Sequence, residues 1–224
     1  MKLSIIIPAY NERETIARTL ELVRAVPLEK EIIVMDDGST DGTGELLDQL
    51  AGGEVRVVHR PVNSGKGACI REALALATGE AVVIQDADTE YDPADLPALL
   101  RPLVEGRAEV VYGTRAPHFH GQQWHYRLFQ RLAAGLANLL YSADISDEAT
   151  CYKLFRRELL ASIPLRCQGF EFCPEVTAKV CKLGRRIVEV PVRYQARTRR
   201  EGKKINWKDG VVALWTLIKY RFTD

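Results

Sequence analysis

The chain has 224 residues, 46% of them hydrophobic and 27% charged, with a formal net charge of +1. That is ordinary soluble globular usage, enough to bury a sizeable core without staples. The charge balance excludes whole-molecule attraction to polyanions, so no nucleic-acid partner is expected and any anion preference must come from local patches. Five cysteines without a CxxC are read as free thiols in a reducing cytosol.

The amino-terminal run "MKLSIIIPAYNE" is too short, and broken by Pro8, to serve as a signal peptide. No segment reaches the ~20 apolar residues of a membrane-spanning helix. The expectation is a chain that is neither translocated nor embedded, although it can still lie on a bilayer.

The first half alternates strands and helices. "LSIII" (3–7) reads as a strand, 12–26 as a helix, and "EIIVM" (31–35) as a strand. A helix over "GELLDQLA", a strand at 55–60 and a helix at 67–79 follow. "AVVI" (81–84) is a strand, 93–106 a helix, and "AEVVYG" (108–113) a strand. This order predicts an α/β fold, a Rossmann-like, mostly parallel sheet with helices on both faces.

Beyond residue 113 the rhythm changes. A polar, aromatic-rich loop (115–125) precedes a long helix at 126–142. "TCYKLFRRELLASI" reads as a strand entering a helix. A helix at 173–184, a strand at 185–194, a basic loop at 196–204 and a final helix at 206–222 complete the chain. One domain is expected over 1–224, with 1–114 holding one ligand and 115–224 another.

In open α/β sheets ligands bind beyond the carboxyl ends of the strands. There the sequence places Pro8-Ala9-Tyr10-Asn11-Glu12, Asp36-Asp37-Gly38-Ser39, Asp86-Ala87-Asp88 and Gly113-Thr114-Arg115. "NSGKGA" (63–68) lacks the spacing of a P-loop. It reads as a glycine-rich turn, or as a helix start where Lys66 faces a phosphate. In an extended segment Asp86 and Asp88 point the same way. Two such carboxylates share a proton or a cation. A hard ion, Mg²⁺ or Mn²⁺, suits them, its shell completed by water and substrate phosphates. The alternative is a solvated loop with two capping aspartates, which "DDGS" on a second strand end disfavours.

"SIIIPAYNE", "EIIVMDDGSTDGT", "NSGKGACIREAL", "ATGEAVVIQDAD" and "VVYGTR", in this order, resemble the inverting glycosyltransferases of family 2 with a GT-A fold. The second half is most similar to their polyprenyl-phosphate branch. By that resemblance Pro8, Tyr10, Glu12 and Asp37 line a nucleotide sugar, a GDP- or UDP-hexose. Asp86 and Asp88 hold the metal and diphosphate. Arg115, Arg131, Arg197 and Lys203 meet an acceptor phosphate. Asp147 is read as a catalytic carboxylate, or else as a structural residue that caps or orients Lys153. The branch's Thr-Gly run is replaced here by Ala149-Thr150-Cys151, and its Ser-Lys by Gly202-Lys203.

A phosphate acceptor is already an anionic nucleophile and needs cations to position it. A hydroxyl acceptor, such as a saccharide, needs a carboxylate base, for which Asp147 and Glu175 are the candidates. A non-catalytic nucleotide-binding module is the remaining alternative.

The last helix carries Trp207, Val211, Leu214, Trp215, Ile218 and Phe222 on one face, flanked by Lys208, Lys219 and Arg221. It reads either as an interfacial helix making peripheral contact with the inner face of the cell membrane or as a helix packed on the core. His118, His120 and His125 suggest a mobile acceptor lid rather than zinc ligands. Glu90 has three open readings: metal shell, acceptor contact or helix start.

Overall fold

The structure, a computed structural model, describes residues 1–116, 124–197, 204 and 207–223, with side chains omitted at 124–126. Seven strands form one sheet: β1 (Leu3–Ala9), β2 (Lys30–Asp36), β3 (Val55–His59), β4 (Ala81–Ile84), β5 (Val110–Thr114), β6 (Lys153–Arg156) and β7 (Ile187–Pro191). The helices are α1 (Ile16–Ala25), α2 (Thr43–Leu50), α3 (Lys66–Leu76), α4 (Leu96–Val104), α5 (Trp124–Tyr141), α6 (Arg157–Ser162), α7 (Phe172–Lys182) and α8 (Trp207–Phe222), with a 3₁₀ turn at Pro93–Asp95.

The strand order is β3-β2-β1-β4-β6-β5-β7. From β1 the chain moves outward through β2 to β3, then returns across the sheet to β4 on the other side of β1. That reversal opens a crevice between the carboxyl ends of β1 and β4, where ligands of such sheets bind. The core strands are continuous apolar runs because helices cover both faces; Ile5, Ile6, Ile7, Val82, Val83 and Ile84 are all inaccessible to solvent.

The alternating elements of the first half appear as expected, shifted by a few residues at their ends. The second half departs from pure alternation. β6 runs antiparallel to both β4 and β5, with Val83 opposite Leu154 and Tyr112 opposite Lys153. An antiparallel strand begins where its neighbours end. The residues just before β6, Asp147 to Tyr152, are therefore delivered to the same edge as Asp86 and Arg115. β7 is parallel to β5, so the chain beyond Pro191 also leaves at that edge.

The final helix turns Thr216, Leu217 and Tyr220 inward. Trp207, Trp215 and Phe222 are 73%, 62% and 80% exposed. Of the apolar residues that mark a face in the sequence, Trp207, Val211, Trp215, Ile218 and Phe222 are exposed and Leu214 is half-buried. Helix α5 packs beside α8, with Tyr141 Oη donating to the Leu217 carbonyl at 2.6 Å.

Candidate active site

The end of β1 supplies the first wall. Pro8 and Tyr10 line the cavity, and Glu12 sits at its rim, almost buried. Glu12 accepts from Thr15 Oγ1 at 2.8 Å, from Arg197 Nη1 at 3.0 Å and from Lys204 Nζ at 2.6 Å. Burial pushes its carboxyl up, but the Arg197 and Lys204 hydrogen bonds outweigh this and hold it below the usual carboxylate range. Lys204 also reaches the Tyr10 carbonyl.

The end of β2 supplies Asp37, which accepts from the backbone N–H groups of Ser64 at 2.9 Å and Gly65 at 2.7 Å. Asp37 thereby fixes the loop that launches α3. Gly65 stands at φ +93°, and a Cβ there would collide with the Gln168 carbonyl, so glycine is required. Lys66, the first residue of α3, does not point away from the protein. Its Nζ pairs with Asp86 and lies 3.4 Å from Cys151 Sγ.

Asp86 and Asp88 follow β4 as a pair under strain. Burial raises the Asp86 carboxyl, and the adjacent Lys66 ammonium more than reverses it. Asp88 has no such relief. Burial, then Asp86, then Glu90 push its carboxyl up to about 7, with Arg197 opposing only in part. Arg197 Nη2 donates to Asp88 at 2.6 Å. Glu90 accepts from Tyr194 Oη at 2.9 Å and from the Arg197 backbone at 2.6 Å, so it anchors the segment leaving β7. The floor beneath the pair is also tied: Tyr152 Oη donates to Gln85 Oε1 at 2.6 Å, and Gln85 Nε2 to the Asp86 carbonyl at 3.0 Å.

The opposite wall comes from β5 and the approach to β6. Arg115 donates to Asp147 through Nε and Nη2, both at 2.7 Å, and through its backbone N–H at 2.9 Å. Its guanidinium also stands 5.0 Å from the centre of the Tyr194 ring. Glu148 is buried against Thr177 Oγ1 at 3.2 Å; burial pushes its carboxyl up against the lowering pull of Lys153. Lys153 Nζ donates to the Glu148 carbonyl at 2.6 Å over the Tyr112 ring.

A single cavity of about 450 Å³ joins these walls. Of the residues expected to bind ligands, it brings together Pro8, Tyr10, Glu12, Asp37, Lys66, Asp86, Asp88, Arg115 and Arg197. Three expected residues fall elsewhere. Asp147 is wholly buried behind Arg115, which it holds through both carboxylate oxygens. Arg131 is exposed and is not part of the cavity wall, because the neighbouring Gln130 occupies the inward position one helical step away. Glu175 accepts from the Arg166 and Cys167 backbone and from Lys179, and holds the loop before α7. Lys203, His118 and His120 lie outside the described residues, as does the His125 side chain. The cavity adds residues that the motifs do not reveal, among them Gln130, Glu148, Cys151, Tyr194 and Lys204. Lys204 belongs to the basic run already singled out; Gln130 and Glu148 carry no sequence signal beyond their position.

The sequence model described as Glycosyl transferase family 2 matches residues 4–163. The chain is 33% identical over 205 residues to a polyprenol monophosphomannose synthase of Mycolicibacterium smegmatis, covering 86% of this chain and 77% of that protein. It is 31% identical over 221 residues to an undecaprenyl-phosphate mannosyltransferase of Micrococcus luteus, covering 91% and 87%. The fold matches the crystal structure of glucosyl-3-phosphoglycerate synthase from Mycobacterium tuberculosis, in complex with Mn²⁺, UDP and phosphoglyceric acid, at a TM-score of 0.76 and 24% identity, covering 100% of this chain and 79% of that one.

Proposed function

The chain belongs to glycosyltransferase family 2, and from that premise we propose that it transfers a hexose, with inversion, from a GDP- or UDP-sugar to a polyprenyl phosphate at the cytoplasmic face of the membrane. One observation carries this reading. The carboxylate pair Asp86 and Asp88 and four cations, Lys66, Arg115, Arg197 and Lys204, line one cavity at the switch point of the sheet, together with the carboxylates of Glu12, Asp37, Glu90 and Glu148. Two phosphate-bearing ligands meeting there account for such a density of charge.

Asp86 and Asp88 fit a divalent ion. They are two crowded carboxylates, one pushed up to about 7, and among the described residues no third His, Cys, Asp or Glu joins them in a closed metal cage. Mg²⁺ or Mn²⁺ bound by so few side chains takes the rest of its shell from water and substrate phosphates. Such an ion supplies charge neutralisation for the departing nucleoside diphosphate. Lys66, released from Asp86, is placed to meet the same phosphates. Pro8, Tyr10, Glu12 and Asp37 line the nucleotide end. Arg115, held rigid by Asp147, and Arg197 orient the acceptor phosphate, which attacks the sugar carbon from the face opposite the leaving group.

No general base is needed for that nucleophile, and neither carboxylate first considered for the role is available: Asp147 is engaged by Arg115, and Glu175 caps backbone outside the cavity. Glu148 favours a second reading. It lines the cavity and burial raises its carboxyl, which suits a base for a saccharide hydroxyl. The outward apolar residues of α8, with Lys208, Lys219 and Arg221 on the same helix, support docking on an anionic bilayer. Among the described residues no helix is long and apolar enough to cross a membrane.

Incubation with radiolabelled GDP- and UDP-hexoses, Mn²⁺ or Mg²⁺, and either undecaprenyl phosphate or soluble saccharides separates the readings. A butanol-extractable product, retained in Glu148→Gln, is expected. A water-soluble product that Glu148→Gln abolishes selects the hydroxyl acceptor instead.

A further inference from the structure

Helix α5 turns one stripe inward: Gln130, Ala133, Ala134 and Ala137, at the i, i+3, i+4 and i+7 spacing of a buried face. Three of the four are alanines. The fourth is an amide, 6% exposed, and its Oε1 is buried with no hydrogen-bond partner. A buried carbonyl left unsatisfied is costly and calls for an explanation. The side chain lines the cavity, whose apolar lining includes Phe129, Phe170, Pro174 and Ala213. Such side chains cannot satisfy it, and Oε1 has no partner among the described residues, so a ligand in the cavity is the partner left to consider.

The chemistry of the missing partner is constrained. An amide oxygen requires a donor. Diphosphate and ionised phosphate-monoester oxygens are acceptors, and an isoprenoid chain offers no polar group. A sugar hydroxyl both donates and accepts, so it answers the amide in either orientation of its oxygen and nitrogen. Gln130 stands on the α5 side of the cavity, whereas Tyr10 and Asp37, at the nucleoside end, come from β1 and β2. We propose that Gln130 is a sugar-selecting residue, whose side-chain carbonyl accepts a hydrogen bond from a hydroxyl of the transferred hexose. This rests on the nucleotide-sugar reading above and deepens it.

Calorimetric titration tests it with wild type, Gln130→Met and Gln130→Asn, using the free nucleoside diphosphate, the nucleotide hexose and its monodeoxy analogues with Mn²⁺. The methionine is close in volume and apolar; the asparagine keeps the amide but withdraws it by one methylene. Both variants are expected to bind the diphosphate as wild type does and the nucleotide hexose ~10-fold more weakly, the worth of one buried hydrogen bond. Wild type is expected to lose a similar factor for one deoxy position, to which Gln130→Met is indifferent. The melting temperature of Gln130→Met is expected to match or exceed that of wild type, since an unpaired carbonyl is removed; a purely structural amide would lower it.

Equal weakening of diphosphate and nucleotide hexose, or unchanged discrimination among the deoxy sugars in both variants, overturns the proposal while leaving the donor reading intact. Wild type that binds the diphosphate but gains nothing from any hexose overturns the donor reading and the proposal with it.

Discussion

The two walls of the cavity hold their charges by different means. On the donor wall, backbone does much of the holding: Asp37 is fixed by the Ser64 and Gly65 N–H groups and Asp88 by that of Glu90. The cations that meet these carboxylates are at least partly open to the cavity. On the acceptor wall the charge is held by a side-chain partner, out of solvent: Arg115 by Asp147. A carboxylate that also accepts from backbone N–H groups keeps those bonds when a side-chain partner leaves. A charge buried against one partner has no substitute when that partner is removed. The donor wall is therefore built to exchange partners, and the acceptor wall to stay fixed.

The largest expected effect tests the fixed wall. Asp147→Ala leaves the Arg115 guanidinium buried without its carboxylate, and should cost about 3–5 kcal/mol of folding stability. Urea denaturation measures this; a change below about 1 kcal/mol would break the contrast between the walls. Asp86→Asn tests the other wall. Turnover should fall ~10²–10³-fold, as when one preorganised electrostatic contact to the transition state is lost. Stability should change by less than about 1 kcal/mol, because the Lys66–Asp86 pair is partly open and Asp88 is relieved of a like charge. Initial rates alongside the same denaturation curve decide it.

A third substitution sharpens the comparison within the donor half, at the edge away from the site. Glu31, near the start of β2, accepts from Ser4 Oγ at 2.5 Å and from Thr78 N at 2.6 Å and Oγ1 at 2.7 Å, tying β1, β2 and the turn before β4. Burial raises its carboxyl, but the Ser4 and Thr78 hydrogen bonds take it down from 4.5 to about 2. A folded-state value below the unfolded one contributes stability that is present above pH 4.5 and is lost as the pH falls toward 2. Glu31→Gln should therefore cost about 2 kcal/mol at pH 7 and nothing near pH 2, with turnover at pH 7 unchanged. A loss of turnover in a fully folded variant would mean that the amino edge of the sheet also governs the site.

The same contrast explains what could be read from sequence. The donor wall comes from short contiguous motifs at the ends of parallel strands, so their order along the chain gives their place in space. Asp37, Asp86 and Glu12 were legible for that reason. The acceptor wall depends on the reversal of β6, and the four-residue strand Lys153–Arg156 has no feature that declares its direction. Without that reversal, Asp147 reads as a catalytic carboxylate or as a partner of Lys153, and its place beside Arg115 is not visible. On α5 the reading and the cavity differ by one residue: Arg131 has the charge that a phosphate wants, yet 100° of helix separates it from Gln130, and only the buried alanines at 133, 134 and 137 reveal which of the two faces inward. On α8 the apolar face was visible, but periodicity alone does not say whether such a face meets protein or something else.

That last ambiguity supplies the smallest expected effect on stability. The described structure places Trp207 and Trp215 outward, and neither belongs to the core. Trp207→Ser with Trp215→Ser should change folding stability by no more than about 0.5 kcal/mol, as for surface substitutions generally. Sedimentation with phosphatidylglycerol vesicles should drop ~10-fold or more, since each indole withdraws apolar area from the interface. Turnover on a short-chain, water-soluble polyprenyl phosphate should persist, because neither indole lines the cavity. If vesicle binding is unchanged while stability falls by several kcal/mol, this face is covered by protein, and the acceptor must reach Arg115 and Arg197 by a route other than α8. If binding falls alone, the partition holds: the buried side of α8 maintains the acceptor wall, and its outer side brings that wall to the lipid.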